Sequence, residues 1–171
     1  TAHLPYAQAN SLWIDTLEGD AFFRNLTRLI GECGAHGLPI AVLHPNDGPR
    51  PPAFSALGCD RIRRLTETAE RSGVVLALEN LHVTEILDDL FAAIPSKHLG
   101  FCYDSGHDHI FGTPERDLLA IQLDDRSLFL APWWSLLRDT ATSAKTPSMA
   151  KLAEASKRWE GRASVDSVSY R

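Results

Sequence analysis

The sequence has no long hydrophobic run and no excess of basic side chains. Its apolar runs fall well short of the ~20 residues that a membrane-spanning helix needs, and its first residues do not form the basic and apolar segments of a signal peptide. The 17 lysines and arginines against 22 aspartates and glutamates leave a net charge of -5, so no basic stripe is available to bind nucleic-acid phosphates. These absences predict a cytoplasmic protein with neither a membrane nor a nucleic-acid partner.

Cysteine is scarce as well. Cys33, Cys59 and Cys102 are odd in number and widely spaced, which indicates neither a disulfide framework nor a zinc ribbon. We expect three small, buried, apolar side chains in a protein from a reducing compartment.

What the sequence does contain is the composition of a globular domain. Its 171 residues, of which 44% are hydrophobic and 23% charged, are enough for one well-buried domain, and we predict a single domain over residues 1–171. Short, continuous apolar runs alternate with segments of helical period. Because continuous runs are typical of a parallel sheet covered on both faces, we predict strands at 39–43, 74–78, 99–103 and 118–121.

Helices are predicted between these strands. Asp20 is placed to cap the first helix, Asp60 to open the second and Thr84 to cap the third. Local propensity also favours a helix over 148–159, whereas the apolar stretch 127–134 fits neither period. The order strand, helix, strand, helix implies right-handed βα units and therefore an α/β fold.

Polar residues gather directly after the predicted strands. His44 follows the first of them, Glu79 follows the second, and Asp104 and His107 follow the third. His3, at the start of the sequence, is expected at the end of another strand. The carboxyl ends of parallel strands share one edge of a sheet, and that edge is where α/β proteins bind ligands.

The chemistry of this set indicates a cation. Glu79 and Asp104 on successive strands would repel each other at the mouth of an apolar sheet, and a divalent cation between them removes that repulsion. Imidazoles from His44 and His107 complete a mixed oxygen and nitrogen shell that suits Mn, Mg, Co or Zn. For each residue alone, a structural hydrogen bond or salt bridge is the alternative.

Four short motifs carry a family resemblance. The segments His3-Leu4-Pro5-Tyr6, Leu43-His44-Pro45, Ala77-Leu78-Glu79-Asn80 and Asp104-Ser105-Gly106-His107 resemble the strand-end motifs of the xylose isomerase-like TIM barrels, in order and rough spacing over residues 1–125. The resemblance implies a (β/α)8 TIM barrel. Because such a barrel usually needs about 250 residues, we expect an incomplete one that runs from the third to the eighth strand of the family pattern.

The resemblance also implies roles for these residues. Glu79 and Asp104 would be metal ligands, and Glu79 would also be a candidate to move a proton. His107 would bind substrate as in the isomerases, or a metal as in the nuclease-like members. His3 and His44 would line the same pocket as substrate-binding residues, and they match metal ligands of the nuclease branch.

Two more ligands are expected in the last third of the sequence. Gln122 stands where the family usually places a histidine ligand on the seventh strand, and its amide oxygen can coordinate a metal. Glu154 would be the last acidic ligand and the second candidate to move the proton. Asp166 is the alternative to Glu154 at that position.

The resulting hypothesis is a divalent-metal-dependent isomerase or epimerase that acts on a small sugar or sugar derivative. It would transfer a proton next to a carbonyl through an enediolate that the cation stabilises. Two alternatives stay open, namely a catalytically impaired barrel fragment and an endonuclease IV-like metal-dependent phosphodiesterase. Unpaired strand edges would favour a homo-oligomer.

Overall fold

The computed structural model describes residues 1–121, 123 and 126–131, which form a parallel sheet with helices on one face. The strands are β1 (Ala2–His3), β2 (Ile40–Leu43), β3 (Val75–Glu79), β4 (Leu99–Asp104) and β5 (Leu128–Ala131). The helices are α1 (Leu17–Ala35), α2 (Ala56–Arg71), α3 (Glu85–Ala93) and α4 (Ser105–Phe111), and Ala9–Trp13 and Leu118–Ala120 are 3₁₀ turns. Within these residues every strand pair is parallel, and the strand order follows the chain from β1 to β5.

The alternation of side chains along each strand separates two apolar layers. One set, exemplified by Leu43, Leu78 and Phe101, packs into the large core with the apolar faces of the helices. The opposite set forms a smaller inner cluster; its buried members are Ile40, Val42, Ala77, Cys102 and Phe129. Polar residues that continue the inner set at the strand ends therefore face the inside of the curved sheet.

Three of the predicted strands are confirmed to within one residue, and the fourth is wrong. The segment predicted at 118–121 contains the 3₁₀ turn Leu118–Ala120. Its buried residues Leu118 and Ile121 are three positions apart, which is the spacing of a helix and not the alternation of a strand. The strand next to β4 is instead β5, which lies in the apolar stretch 127–134. The stretch matches neither period because a strand covered on both faces is apolar along its whole length.

Two helices begin a turn earlier than predicted. Thr16 rather than Asp20 caps α1, and Ser55 rather than Asp60 caps α2; each side chain accepts a hydrogen bond at 3.1 Å from the backbone N–H three residues on. The first turn of α1 carries the exposed Leu17 and polar residues, so the apolar period becomes visible only further along. Thr84 does precede α3, as predicted, although its side chain makes no capping hydrogen bond.

Other expectations concern burial. The three cysteines are free and buried, as predicted. In the described part of the chain, none of the helices combines the length and the apolar composition that crossing a membrane requires. The helix predicted at 148–159 lies outside the described residues.

Two helical glycines give opposite expectations for the same substitution. A Cβ atom at Gly58 in α2 would overlap the buried indole of Trp13, whereas at Gly31 in α1 it would meet nothing within 4 Å. We expect Gly58→Ala to lower the free energy of unfolding by about 1–3 kcal/mol through overpacking. Gly31→Ala should raise it by up to about 1 kcal/mol through helix propensity. Equilibrium urea denaturation measures the free energy of unfolding of both variants. Changes of the same sign and size would contradict the close contact between Gly58 and Trp13.

Candidate metal centre

Five of the predicted site residues meet at the carboxyl ends of the strands. His3 ends β1, His44 follows β2, Glu79 ends β3, Asp104 ends β4, and His107 lies in the first turn of α4. Glu79 and Asp104 are only 4% and 2% exposed, and His44 is 7% exposed. The side chains of His3 and His107 are 38% and 24% exposed. The carboxylates thus lie at the bottom of the site, and two of the imidazoles lie nearer its mouth.

The strand register explains why these side chains converge. His3 is paired with Val42, and His44 comes two residues after Val42 along the chain. Glu79 and Asp104 likewise stand two residues after Ala77 and Cys102. Because side chains two apart along a strand share a face, all four continue the inner layer.

Glu79 is the centre of the arrangement. Its Oε2 atom lies 3.2 Å from Nε2 of His3 and 3.0 Å from Nε2 of His44, and its Oε1 atom lies 3.4 Å from Nδ1 of His107. Burial, the largest influence, raises the pKa of Glu79. The hydrogen bonds from His3 and His44, with the charges of His44 and His107, outweigh it and lower that pKa to about 2. Glu79 is therefore an ionised carboxylate surrounded by nitrogen atoms.

The hydrogen bond of His3 to the main chain determines which of its ring nitrogens faces Glu79 with a lone pair. Nδ1 of His3 donates to the carbonyl oxygen of Leu4 at 2.9 Å, so the neutral ring has its lone pair on Nε2, which points at the carboxylate. Two lone-pair atoms in contact need a cation between them. In the metal-free protein a proton supplies it, and the hydrogen bond to Glu79 is the main reason that the pKa of His3 is raised. A metal ion can replace this proton.

Asp104 lies against the same carboxylate. Its Oδ1 accepts hydrogen bonds from the backbone N–H groups of Gly106 at 2.6 Å and His107 at 3.0 Å, and so caps α4. Burial is the main reason that the pKa of Asp104 is raised, and the negative charge of Glu79 adds to the effect. Without a cation, ionising both neighbouring carboxyl groups costs free energy, because their negative charges repel each other in a buried place.

These residues fit a divalent cation. Two overlapping groups, His3 with His44 and Glu79, and Glu79 with Asp104 and His107, each offer ligand atoms that lie within 4.8 Å of one another. Nδ1 of His44 is buried and has no hydrogen-bond partner among the described residues. Imidazole and carboxylate together suit Mn, Co or Zn, whereas Mg and Ca prefer oxygen ligands alone.

The remaining predicted ligands cannot be placed with this set. Gln122, Glu154 and the alternative Asp166 lie outside the described residues. Their roles stay predictions, as do the individual roles of the five residues that the structure brings together.

Two further residues belong to the site, although no sequence pattern predicted a role for them. Asn80 is completely buried beside Glu79 and bonds to the backbone of Asp104. The ring of Tyr6 stacks on His44 with 4.7 Å between centroids and meets the edge of His3 at 5.6 Å. Both residues are present in the quoted motifs, but only the tertiary contacts distinguish them from ordinary loop residues.

Comparisons with known proteins bear on the fold of this chain. The family model described as xylose isomerase-like TIM barrel matches residues 1–131. An L-ribulose 3-epimerase structure is similar with a TM-score of 0.67 at 14% identity, over 98% of this chain and 62% of that chain. A D-psicose 3-epimerase from Clostridium cellulolyticum H10, solved with D-tagatose, is similar with a TM-score of 0.70 at 13% identity, over 96% and 62%.

A third similar structure contains a metal. The IOLI protein with a bound zinc atom has a TM-score of 0.58 at 18% identity, over 75% of this chain and 49% of that chain. Comparison with curated protein sequences gave no significant match. The chain spans 62% of the length of each of the two epimerases, and its described residues form part of a barrel. With its family match and its parallel α/β architecture, this chain belongs to the xylose isomerase-like TIM barrel family.

Proposed function

We propose that this protein is a divalent-metal-dependent isomerase or epimerase of a small sugar or sugar derivative, which moves a proton next to a carbonyl group. The observation that carries the proposal is the position of Glu79, a buried, ionised carboxylate within 3.4 Å of three imidazole nitrogens. Asp104 lies in the same group of ligand atoms. The sugar epimerases among the similar structures support the substrate class.

The cation would be held by Glu79 and Asp104, with imidazole ligands from the same edge of the sheet. When bound there, the cation would act as a Lewis acid and stabilise negative charge on a substrate oxygen. The protein residues bind and orient the sugar around that position. His107 is partly exposed at the mouth of the site and would hold a substrate hydroxyl there. Glu79 or Glu154 would take up and return the proton.

The mouth of the site offers a flat apolar surface as well. Tyr6, 51% exposed, lies over His44 and beside His3. A sugar ring presents C–H groups on one face and hydroxyls at its edge. The Tyr6 ring is therefore suited to cover the apolar face while His3, His44 and His107 meet hydroxyl groups.

Deuterium exchange tests this proposal directly. The purified protein is stripped of metal with a chelator, reloaded with Mn, Co, Zn or Mg, and incubated in D₂O with L-ribulose, D-psicose or D-tagatose. We expect deuterium at the carbon next to the carbonyl and a new epimer or isomer. Chelation should reduce both by about 100-fold or more, because the loss of one group that stabilises a developing oxyanion costs about 10²–10³ in rate. Bound metal without deuterium uptake would contradict the isomerase proposal, and absence of bound metal would favour an impaired barrel fragment.

One observation favours a second candidate, the hydrolysis of a phosphodiester. His3, His44 and Glu79 form a ligand group of their own that shares Glu79 with the Asp104 group, and a pair of metals bridged by a carboxylate is typical of phosphodiester hydrolysis. The net charge of -5 opposes DNA binding. The isomerase proposal predicts one ion per chain and no cleavage of abasic DNA. The hydrolase predicts two ions, and it predicts that His3→Asn removes one of them together with the cleavage.

A further inference from the structure

Asn80 joins the ends of the two strands that carry the carboxylates. It follows Glu79 at the end of β3, and its side chain exchanges two hydrogen bonds with the backbone of Asp104. Nδ2 donates to the carbonyl oxygen of Asp104 at 2.9 Å, and the N–H of Asp104 donates to Oδ1 at 2.7 Å. The last register pair between these strands is Glu79 with Cys102. Beyond that pair, the side-chain amide of Asn80 takes the place of main-chain hydrogen bonds between β3 and β4.

The backbone of Asn80 also orients His107. Nδ1 of His107 lies 3.0 Å from the carbonyl oxygen of Asn80. A carbonyl oxygen only accepts hydrogen bonds, so this nitrogen carries the proton and the neutral ring keeps its lone pair on Nε2. A nitrogen that carries a proton cannot bind a metal. His107 is therefore left with Nε2 as the atom that can meet a substrate hydroxyl or a cation.

We propose that Asn80 is the positioning residue of this site. Its side chain sets the separation of Glu79 and Asp104, and its carbonyl group holds the proton of His107 on Nδ1. Asn80 does both without contact to substrate. The inference rests on the proposed function in so far as the carboxylates bind a cation, but both hydrogen-bonding roles exist in the metal-free protein.

No smaller or charged residue can replace this amide. Alanine would leave the N–H and carbonyl groups of Asp104 without partners in a buried place, which costs free energy. Aspartate could accept from the Asp104 N–H but could not donate to its carbonyl oxygen. It would also put a third carboxylate beside Glu79 and Asp104. Asparagine supplies one donor and one acceptor with no charge.

Asn80→Ala tests the role of the side chain. Cation affinity, measured by calorimetric titration with Mn²⁺ or Co²⁺, should fall by about 10- to 100-fold, the usual loss when a group that orients metal ligands is removed. The backbone amide of Asp104 should exchange with D₂O much faster than in the wild type. In Asn80→Asp that amide should stay slow, since the acceptor for it remains.

Thr66→Ala is the control. Thr66 is buried in α2, and its hydroxyl donates one hydrogen bond at 2.9 Å to the carbonyl oxygen of Ile62. Its loss removes a buried hydrogen bond between a side chain and the backbone without touching any of the strand ends that carry the site. We expect a loss of stability with unchanged affinity for the same cation. A loss of affinity equal to that of Asn80→Ala would show that destabilisation alone is the cause and would overturn the proposal.

The tautomer of His107 gives a readout that does not depend on metal. A long-range ¹H–¹⁵N correlation spectrum of the metal-free wild-type protein should show the proton on Nδ1. A proton on Nε2 instead, or wild-type cation affinity in Asn80→Ala, would refute the positioning role. If the wild-type protein binds no cation at all, the proposed function fails, while the Asp104 exchange rate and the His107 tautomer still decide the role of Asn80.

Discussion

Replacing Glu79 with glutamine should remove cation binding and activity together. Glu79 belongs to both ligand groups and lies within 3.4 Å of three histidines, so no other described side chain offers the same bridging carboxylate. We expect the affinity for Mn²⁺ or Co²⁺ to fall by more than about 100-fold, since the loss of an orienting partner alone costs about 10- to 100-fold. Titration calorimetry measures the affinity, and deuterium exchange into the ketose measures the activity.

Glu70→Gln is the control for this substitution. Glu70 is an exposed carboxylate near the end of α2, next to the amino end of β3 and therefore at the opposite edge of the sheet from the site. The same change of charge there should leave cation affinity and deuterium exchange unaltered. Retention of tight metal binding in Glu79→Gln would mean that the carboxylate is structural. The proposed function would then lose the observation that carries it.

Glu79→Gln should also alter the acid stability of the metal-free protein. The pKa of Glu79 is lowered from 4.5 to about 2 in the folded protein, so the unfolded state binds more protons between these values. Ionised Glu79 therefore stabilises the fold above pH 4.5, and its contribution is lost as the pH falls towards 2. In Glu79→Gln the free energy of unfolding should decline less steeply over this window, as urea denaturation at several pH values can show.

Replacing Arg61 with methionine should cause the largest loss of stability of the substitutions considered. Arg61 is 2% exposed, and its Nη1 donates to the carbonyl oxygens of Ser11, Leu12 and Ile14 at 3.1, 3.0 and 2.9 Å. Its Nη2 pairs with Asp20 at 2.5 Å. Methionine fills much of the same space but leaves these acceptors without a donor. We expect a loss of about 3–4 kcal/mol, at roughly 1 kcal/mol or more for each of the three backbone hydrogen bonds, whereas the Asp20 side chain is 47% exposed and can be solvated.

The effect of Arg61 should reach the metal centre. The carbonyl groups that it binds belong to the 3₁₀ turn Ala9–Trp13 and the residue after it, and Nε1 of Trp13 donates to the carbonyl oxygen of Pro45 at 2.6 Å. Pro45 adjoins His44. We therefore expect Arg61→Met to weaken cation binding as well as folding, and urea denaturation with metal titration measures both.

Arg63→Met is the matched control for Arg61. The Arg63 side chain is 42% exposed and pairs with Asp60 at 3.7 Å on the surface of α2, and exposed pairs contribute about 0–1 kcal/mol. Its loss should leave stability nearly unchanged. Equal stability of the two arginine variants would show that the hydrogen bonds of Arg61 do not stabilise the 3₁₀ turn Ala9–Trp13.

Much of the fold was predictable because it depends on local pattern. The runs at β2, β3 and β4 are short, continuous and apolar, which is typical of strands buried on both faces. The residues directly after them are polar, which marked His44, Glu79, Asp104 and the turn that carries His107. Beginnings of helices were less predictable. The first turn of α1 is mostly exposed, and the residues that the first turn of α2 buries are the small Gly58 and Cys59, so neither turn shows an apolar period.

By itself, then, the sequence determined the α/β alternation, the strand ends and the chemical types that stand there, because neighbours along the chain carry that information. Only the tertiary structure decided that His3 bonds Glu79 across 76 residues and that Asn80 bonds Asp104 across 24. Such contacts depend on strand register and on the way the sheet curves. These are set by the packing of the whole core, and no short segment encodes them.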